Sequence, residues 1–359
     1  MKVIQVMPEF GLAGAEIMCE NLVYGLQQQG VEVVVASLYD YRSAITDRLE
    51  KNGVRIVYLN KKPGFDFSMY KKLYKLFKTE KPDVIHTHRY ATRYVIPSAI
   101  RAKTKRRVHT VHTLAQKECG KLSRKLNKFF FKRANVIPVA LSGFVQETIK
   151  QEYKMSKDKI PVVLNGIDLS KCKPKADYVI NETIKILHIG RFCEVKNHKG
   201  LVRAFEIFHR EYPNSILQLI GDGELRGEIQ SLVDEIGLSE CVEFLGLQDN
   251  VYEYLHNADI FTLPSLYEGI PMTLIEAMAT GLPIVASNVG GIPDMLVNGE
   301  SAILADANSE QIANAFLMLA NDECLREKLG AKAKVESVKF SAKTMAEEYL
   351  KIYKGIGND

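Results

Sequence analysis

No stretch of this 359-residue chain approaches the roughly 18 consecutive apolar residues that a membrane-spanning helix needs, although 46% of it is hydrophobic. The opening MKVIQVMPEFG lacks the longer apolar core of a secretory signal and reads as a first buried strand. Six cysteines (Cys19, Cys119, Cys172, Cys193, Cys241, Cys324) are scattered with no C-x-x-C pair, which argues against a thiol-redox or zinc-ribbon protein and for a reduced, cytosolic setting. There is no short internal repeat and no low-complexity tract, so a solenoid or a disordered chain is excluded. The net charge is only +5, but it is unevenly spread. Residues 1–170 hold 30 Lys/Arg against 15 Asp/Glu, and the remainder 18 against 28. A basic half and an acidic half imply two domains with different partners.

Short apolar runs alternate with helix-length periodic segments, the signature of an α/β protein. The strand candidates are KVIQVM, VEVVVASL, RIVYL, DVIHTH, RRVHTVH and NVIPVAL, then KILHIG, ILQLIG, VEFLG, IFTLPS and PIVAS. Most are continuous and β-branched, as parallel strands covered on both faces require. Right-handed crossover helices then make each half a doubly wound sheet. The break falls at NGID, 165–168, read as a turn before a polar, Lys-rich linker. The expected division is 1–168, 169–340 and a final helix within 341–359 carrying Met345, Tyr349, Ile352 and Tyr353 on one stripe.

Three clusters carry chemistry. In SLYEGIPMTLIEAMATGLPIVAS, 265–287, Pro271 suits the first turn of a helix that stops near Gly281. Glu268 then precedes the helix and Glu276 lies on it, about two turns in. Gly269, Ile270, Met272 and Thr273 present backbone N–H groups at a helix N-terminus, a site for phosphate or developing negative charge. Pattern alone leaves a plainer alternative, with Glu268 serving the helix dipole and Glu276 solvated. In HIGRFCEVKNHKGL, 188–201, Arg191 and Lys196 leave a strand beside Gly190, a fork and a point charge suited to a diphosphate, or an ordinary basic loop. In FGLAGAE, 10–16, Gly11 and Gly14 allow backbone to approach phosphate, or form a plain strand-to-helix turn.

In this order the clusters resemble the retaining glycosyltransferases of family 4, whose GT-B fold has two Rossmann-like doubly wound domains facing each other across a cleft. The resemblance covers nearly the whole chain. It rests on E-x7-E at Glu268–Glu276, on Gly-Arg-Phe-x3-Lys at Gly190–Lys196, on NGID, on ADIFTLPS at 258–265 and on the glycine-containing first loop. It implies that Arg191, Lys196, Gly14 and the Ile270, Met272 and Thr273 segment meet the donor diphosphate. Glu276 would hold the ribose, and Glu268 and Gly269 the transferred sugar. Gly221, Asp222, Gly223 and Leu245 would lie near the base. His112, in RRVHTVHT, matches the active-site histidine that faces the donor sugar, so His112 and Glu268 are the expected catalytic pair. His88 and His109 are acceptor-side candidates. The His86/His88 and His109/His112 pairs have no carboxylate or cysteine cluster to complete a metal site. The final helix would return to the first domain. Ala13-Gly14 stands where the family often has two glycines, which leaves the phosphate contact of that loop in doubt.

The implied reaction moves a hexosyl or N-acetylhexosaminyl group from a UDP-sugar to a glycan or lipid-linked saccharide in surface polysaccharide synthesis, of the bacterial capsule, exopolysaccharide or O-antigen kind. The cations and helix N-terminus stabilise the departing diphosphate, so no metal and no NAD is expected, and Asp-x-Asp is absent. In KLSRKLNKFFFKR, 121–133, Leu122, Leu126, Phe129 and Phe130 fall on one helical face, with lysines over much of the rest and Phe131 pointing away. A basic amphipathic helix with an exposed aromatic suits an anionic membrane, or is a core-packed helix with a solvated face. Docking on the inner face of the cytoplasmic membrane, with a polyprenyl-diphosphate-linked acceptor and no nucleic acid, is the expected setting. The rival reading is a dinucleotide oxidoreductase using Gly221-x-Gly223-x3-Gly227, with Glu243 about 20 residues on. A GT-B epimerase and a non-catalytic sugar-binding protein are further alternatives.

Overall fold

In the computed structural model, which describes residues 1–356, the chain forms two compact units. One is Met1–Ile167 with the segment from Phe340 onward, and the other is Asp168–Lys339. Residues 357–359, the tail of the expected final segment, lie outside the described residues.

The first unit alternates strand and helix: β1 Lys2–Met7, α1 Gly14–Gln28, β2 Glu32–Ser37, α2 Ala44–Lys51, β3 Arg55–Tyr58, α3 Ser68–Glu80, β4 Val84–His88, α4 Thr92–Arg101, β5 Arg106–Val111, α5 Lys121–Arg133, β6 Val136–Ala140 and α6 Gly143–Tyr153. Its six strands are parallel, in the order β3-β2-β1-β4-β5-β6. The second unit repeats the plan with β7 Ile184–Ile189, α7 His198–Glu211, β8 Ser215–Ile220, α8 Arg226–Glu235, β9 Val242–Gly246, α9 Tyr252–Asn257, β10 Ile260–Leu263, α10 Met272–Thr280, β11 Ile284–Ser287, β12 Ile303–Ala305, α11 Ser309–Asn321 and α12 Glu323–Ser337. Its sheet is also parallel, ordered β12-β11-β10-β7-β8-β9.

Both sheets are covered on both faces, which is why the central strands are buried almost throughout. In each sheet the strand order reverses once, between β1 and β4 and between β7 and β10. A crevice opens beyond the carboxyl ends of the strands at such a reversal, because the helices on its two sides leave in opposite directions. The loops after β1, β4, β7 and β10 therefore occupy the binding position of their own unit, and the three sequence clusters lie on three of them.

The last helix, α13 Ala342–Lys354, closes the first unit. Met345, Tyr349 and Tyr353 are buried, with Ile352 at the edge of the stripe. The helix packs on α1, where Gly25 lies so close to Ala342 and Ala346 that a Cβ would collide with both.

Three local readings are corrected. NGID is not a turn: Ile167 donates its N–H to Phe340 and accepts from Ala342, in a short parallel bridge that stitches the chain's return. The second sheet has a sixth strand, β12, whose three residues are too few for a periodic signal. In α5 the expected exposed aromatic, Phe131, is buried, and most of the leucine stripe is not. Ser123, Asn127, Phe130 and Phe131 are buried, while Leu122, Leu126 and Phe129 are exposed. Phe131 points inward because it stacks on His109 and meets Tyr153 edge-on.

Candidate functional site

In the second unit, Lys196 and Glu268 come from the loops after β7 and β10, neighbouring strands at the reversal point. Lys196 Nζ donates to Glu268 Oε1 at 2.6 Å, and Ser265 Oγ donates to the same oxygen at 2.7 Å. Asn197 brings the loops together. It adopts a left-handed conformation (φ 53°), which asparagine tolerates better than most residues, and caps α7 through the Gly200 N–H. Its amide also donates to Pro264 O and Ala307 O, and Leu266 N–H donates to Val195 O. Arg191 reaches outward to Glu224 at 2.9 Å. Both side chains are well exposed, so that pair is weak and readily exchanged for a stronger anion.

Pro271 is the N-cap of α10 rather than its first residue, and no side chain caps the helix. The amide end at Met272 and Thr273 is thus available to a negative charge. A Cβ on Gly269 would meet nothing within 4 Å, so the space over it is unfilled by protein. Glu276 begins the second turn, nearer the helix start than expected, and is 6% exposed rather than solvated. Burial pushes its carboxyl up to about 7, against a Tyr252 hydrogen bond and the charge of Lys171. A carboxylate kept in so dry a place needs donors, and vicinal hydroxyls of a ligand are suitable ones. Gly221 and Gly223 pack tightly against the Gly190 and Phe192 backbone. Glu243 is engaged by Gln218 at 2.7 Å. Those glycines have a packing reason, and the oxidoreductase reading loses its ribose carboxylate.

In the first unit, Gly14 opens α1, which also has no side-chain cap, and a Cβ there would meet open space. Glu16, buried in the first turn, receives Arg89 Nη1 at 2.6 Å from the loop after β4. The histidines of β4 and β5 form a directed chain. Gln5 Nε2 donates to Tyr353 Oη (3.2 Å), so Gln5 Oε1 accepts from His88 Nε2–H (2.9 Å). His88 Nδ1 must then accept from His112 Nε2–H, also at 2.9 Å. Tyr353 in turn donates to His86 Nδ1 (2.6 Å), whose Nε2–H donates to Thr110 Oγ1 (2.7 Å). His112 is left with its lone pair on Nδ1. Burial, aided by His109 and Arg89, lowers its pKa to about 3, so it is neutral near pH 7.

Two expected roles do not fit. His88 and His109 are fully buried with both ring nitrogens engaged, His109 by Thr87 and Glu118. Neither has a nitrogen to offer an acceptor hydroxyl. Their place is behind the site, holding β4, β5 and His112 in register.

Residues 173–336 match the family model described as glycosyl transferases group 1, and residues 12–171 the model described as glycosyltransferase family 4. The chain belongs to the family 4 glycosyltransferases. It is 31% identical over 317 residues to N-acetyl-alpha-D-glucosaminyl L-malate synthase of Bacillus anthracis, covering 83% of this chain and 81% of that protein. It is 30% identical over 271 residues to the UDP-Gal:alpha-D-GlcNAc-diphosphoundecaprenol alpha-1,3-galactosyltransferase of Escherichia coli, covering 70% of each. Among solved structures, Anabaena HepE in complex with UDP-glucose superimposes with a TM-score of 0.87 at 18% identity, covering 99% of this chain and 100% of that one. Sucrose-phosphate synthase from Thermosynechococcus elongatus gives 0.79 at 20%, covering 99% and 98%. Both likenesses are of fold, and the fold is GT-B.

This glycosyltransferase also uses residues that its sequence did not single out. Ser265 and Asn197 set the Lys196–Glu268 pair, and nothing in their local sequence says which loops they join. Gly290 and Gly291 lie flat against the Glu268–Gly269 backbone, and Gly291 N–H donates to Glu268 O at 3.1 Å. A side chain at either would displace that loop. The Gly-Gly pair lies just beyond the 265–287 stretch, and only the contact gives it a reason.

Proposed function

We propose that this glycosyltransferase moves a hexosyl or N-acetylhexosaminyl group from a UDP-sugar, with retention at the anomeric carbon, to a saccharide acceptor in surface polysaccharide synthesis. The acceptor is carried on a polyprenyl diphosphate at the inner face of the cytoplasmic membrane. The observation that carries the reading is the Lys196–Glu268–Ser265 cluster beside the uncapped start of α10, with the buried Glu276 one turn further on. The UDP-galactose and diphosphoundecaprenol in the name of the Escherichia coli relative support the donor and the acceptor class.

In the proposed reaction the bond between the sugar's C1 and the phosphate oxygen breaks, and the acceptor oxygen bonds to C1 on the same face. The acceptor proton leaves with the diphosphate. Negative charge builds on the departing oxygen, and Lys196, a released Arg191 and the α10 amides are placed to receive it. With this much fixed positive charge, no divalent metal is required. Glu276 accepts from the ribose hydroxyls. Glu268, its Oε1 held by Lys196 and Ser265, turns Oε2 to the sugar hydroxyls. His112, neutral and with its lone pair on Nδ1, accepts from a donor-sugar hydroxyl. Calorimetry with UDP, GDP, ADP and NADP in the presence of EDTA tests the reading. The expected result is tight UDP binding that is weakened in Lys196→Ala. Binding of NADP but no nucleoside diphosphate would overturn it.

A further inference from the structure

Helix α5 buries only part of its apolar surface, Phe130 and Phe131. Its polar residues Ser123 and Asn127 face the core, where Asn127 Oδ1 accepts from Thr92 Oγ1 at 2.7 Å. Its leucines face solvent: Leu122 is 74%, Leu126 36% and Phe129 57% exposed. These three form a stripe at helical spacing, bordered by Lys121, Lys125, Lys128 and Lys132. The helix cannot roll to bury the stripe without breaking the Thr92–Asn127 hydrogen bond and withdrawing Phe131 from His109 and Tyr153.

The loop leading into α3 follows the same rule. Lys61 Nζ is buried and donates to Tyr39 Oη and to the carbonyls of Lys62 and Gly64. The Asp66 carboxylate accepts from the N–H groups of Lys62 and Ser68. With its charges turned inward, the loop leaves Phe65 52% and Phe67 77% exposed. Helix α3 packs on α4, and α4 on α5. All three run back from the carboxyl ends of parallel strands, so the Phe67 and Leu122 ends lie at the same edge of the unit. Together the three helices carry twelve Lys/Arg and one acidic residue, Glu80, which is paired with Lys2 and Arg55.

We propose that the α3–α4–α5 face docks on an anionic lipid bilayer, with Leu122, Leu126 and Phe129 entering the acyl region and Phe67 a second insertion point. The lysines meet the headgroups. Apolar tips set among lysines on a convex helix match a surface that is apolar below and negative above. A second copy of this chain fits poorly, because a two-fold contact through the stripe would set lysine against lysine. A nucleic acid would leave the leucines without a partner. The proposal rests on the membrane-side acceptor reading for its purpose, but it concerns a different part of the molecule from the nucleotide site.

The chain contains no tryptophan, so Phe129→Trp supplies a single indole reporter. The test adds phosphatidylcholine vesicles, with or without about 30% phosphatidylglycerol, and reads fluorescence and co-sedimentation. The expected result is a blue shift and sedimentation with the anionic vesicles alone, reduced roughly tenfold or more by about 0.5 M salt. Leu122→Ser with Leu126→Ser and, separately, Lys121→Glu with Lys125→Glu should each lose at least tenfold in partitioning while keeping wild-type UDP affinity and melting temperature. Unshifted emission with anionic vesicles, equal binding to neutral vesicles, or a wild-type dimer dissolved by the serine variant would each overturn the proposal. Vesicle binding without UDP binding would leave the docking surface standing and defeat the functional reading.

Discussion

Two carboxylates eight residues apart have opposite circumstances. Glu268 sits between a cation and a hydroxyl, and its work is to be held. Glu276 is dry, and burial raises its carboxyl to about 7. Lys196→Ala should therefore lower transfer by roughly 10²–10³-fold, the cost of removing one preorganised charge at a departing anion. Steady-state kinetics checks this, and wild-type rates would sink the site assignment. Glu276→Gln should behave differently. It removes the burial penalty of a charge, so the unliganded protein should melt at the same temperature or higher, while UDP binding weakens by about tenfold through a lost charge-assisted acceptor. Paired calorimetry and thermal melts separate the two effects. The E-x7-E spacing made both carboxylates legible in the sequence. Ser265, Asn197 and Gly290 were not, because their roles depend on which loops adjoin.

At the scale of elements, α13 is more than a clasp. Its tyrosines enter the sheet from the far end of the chain and orient the β4 and β5 histidines. Tyr353→Phe deletes one hydroxyl that receives from Gln5 and donates to His86. The variant should lose about 1–2 kcal/mol of stability. Gln5 is then free to flip, which would reverse the donor order at His88 and remove the acceptor for His112 Nε2–H. The expected signature is a several-fold fall in kcat with KM little changed. An unchanged kcat would show that the chain is structural alone. The amphipathic pattern of α13 was readable from periodicity. In α5 the same kind of reading found the leucine stripe but left open whether it met the core or a membrane, because hydrophobic spacing identifies a face but not what the face meets.

At the scale of the whole molecule, each unit buries histidines that must stay neutral. His86, His88 and His112 in the first unit, and His188 and His198 in the second, are all lowered by desolvation. The unfolded chain takes up protons at the ordinary value of 6.5, and the folded one only well below it. Stability is therefore fully present above about pH 6.5 and falls as the pH drops, by up to about 1.4 kcal/mol per pH unit for each histidine. Glu276 acts in the opposite direction. Its raised pKa favours the fold below about 4.5, a contribution lost as the pH rises through about 7. Burial raises the Glu16 and Asp259 carboxyls in the same sense, but five histidines outweigh three carboxyls, so melting temperatures should decline steadily from pH 7 to pH 5. A flat profile would mean that the imidazoles are not buried as described.

The sequence by itself determined the class of each sheet, eleven of the twelve strands among the described residues and the spacing of the candidate site residues. Continuous β-branched runs suit only parallel strands covered on both faces, and a motif fixes its own internal distances. It also determined the charge asymmetry. The tertiary structure alone decided which loops adjoin at each strand reversal, which histidine stands in front and which behind, and which side of α5 faces out. Those outcomes depend on hydrogen bonds between residues far apart in the chain, Thr92 with Asn127 and Gln5 with Tyr353 among them. A buried polar group must find its partner wherever the fold brings one, and that requirement overrides local hydrophobic pattern.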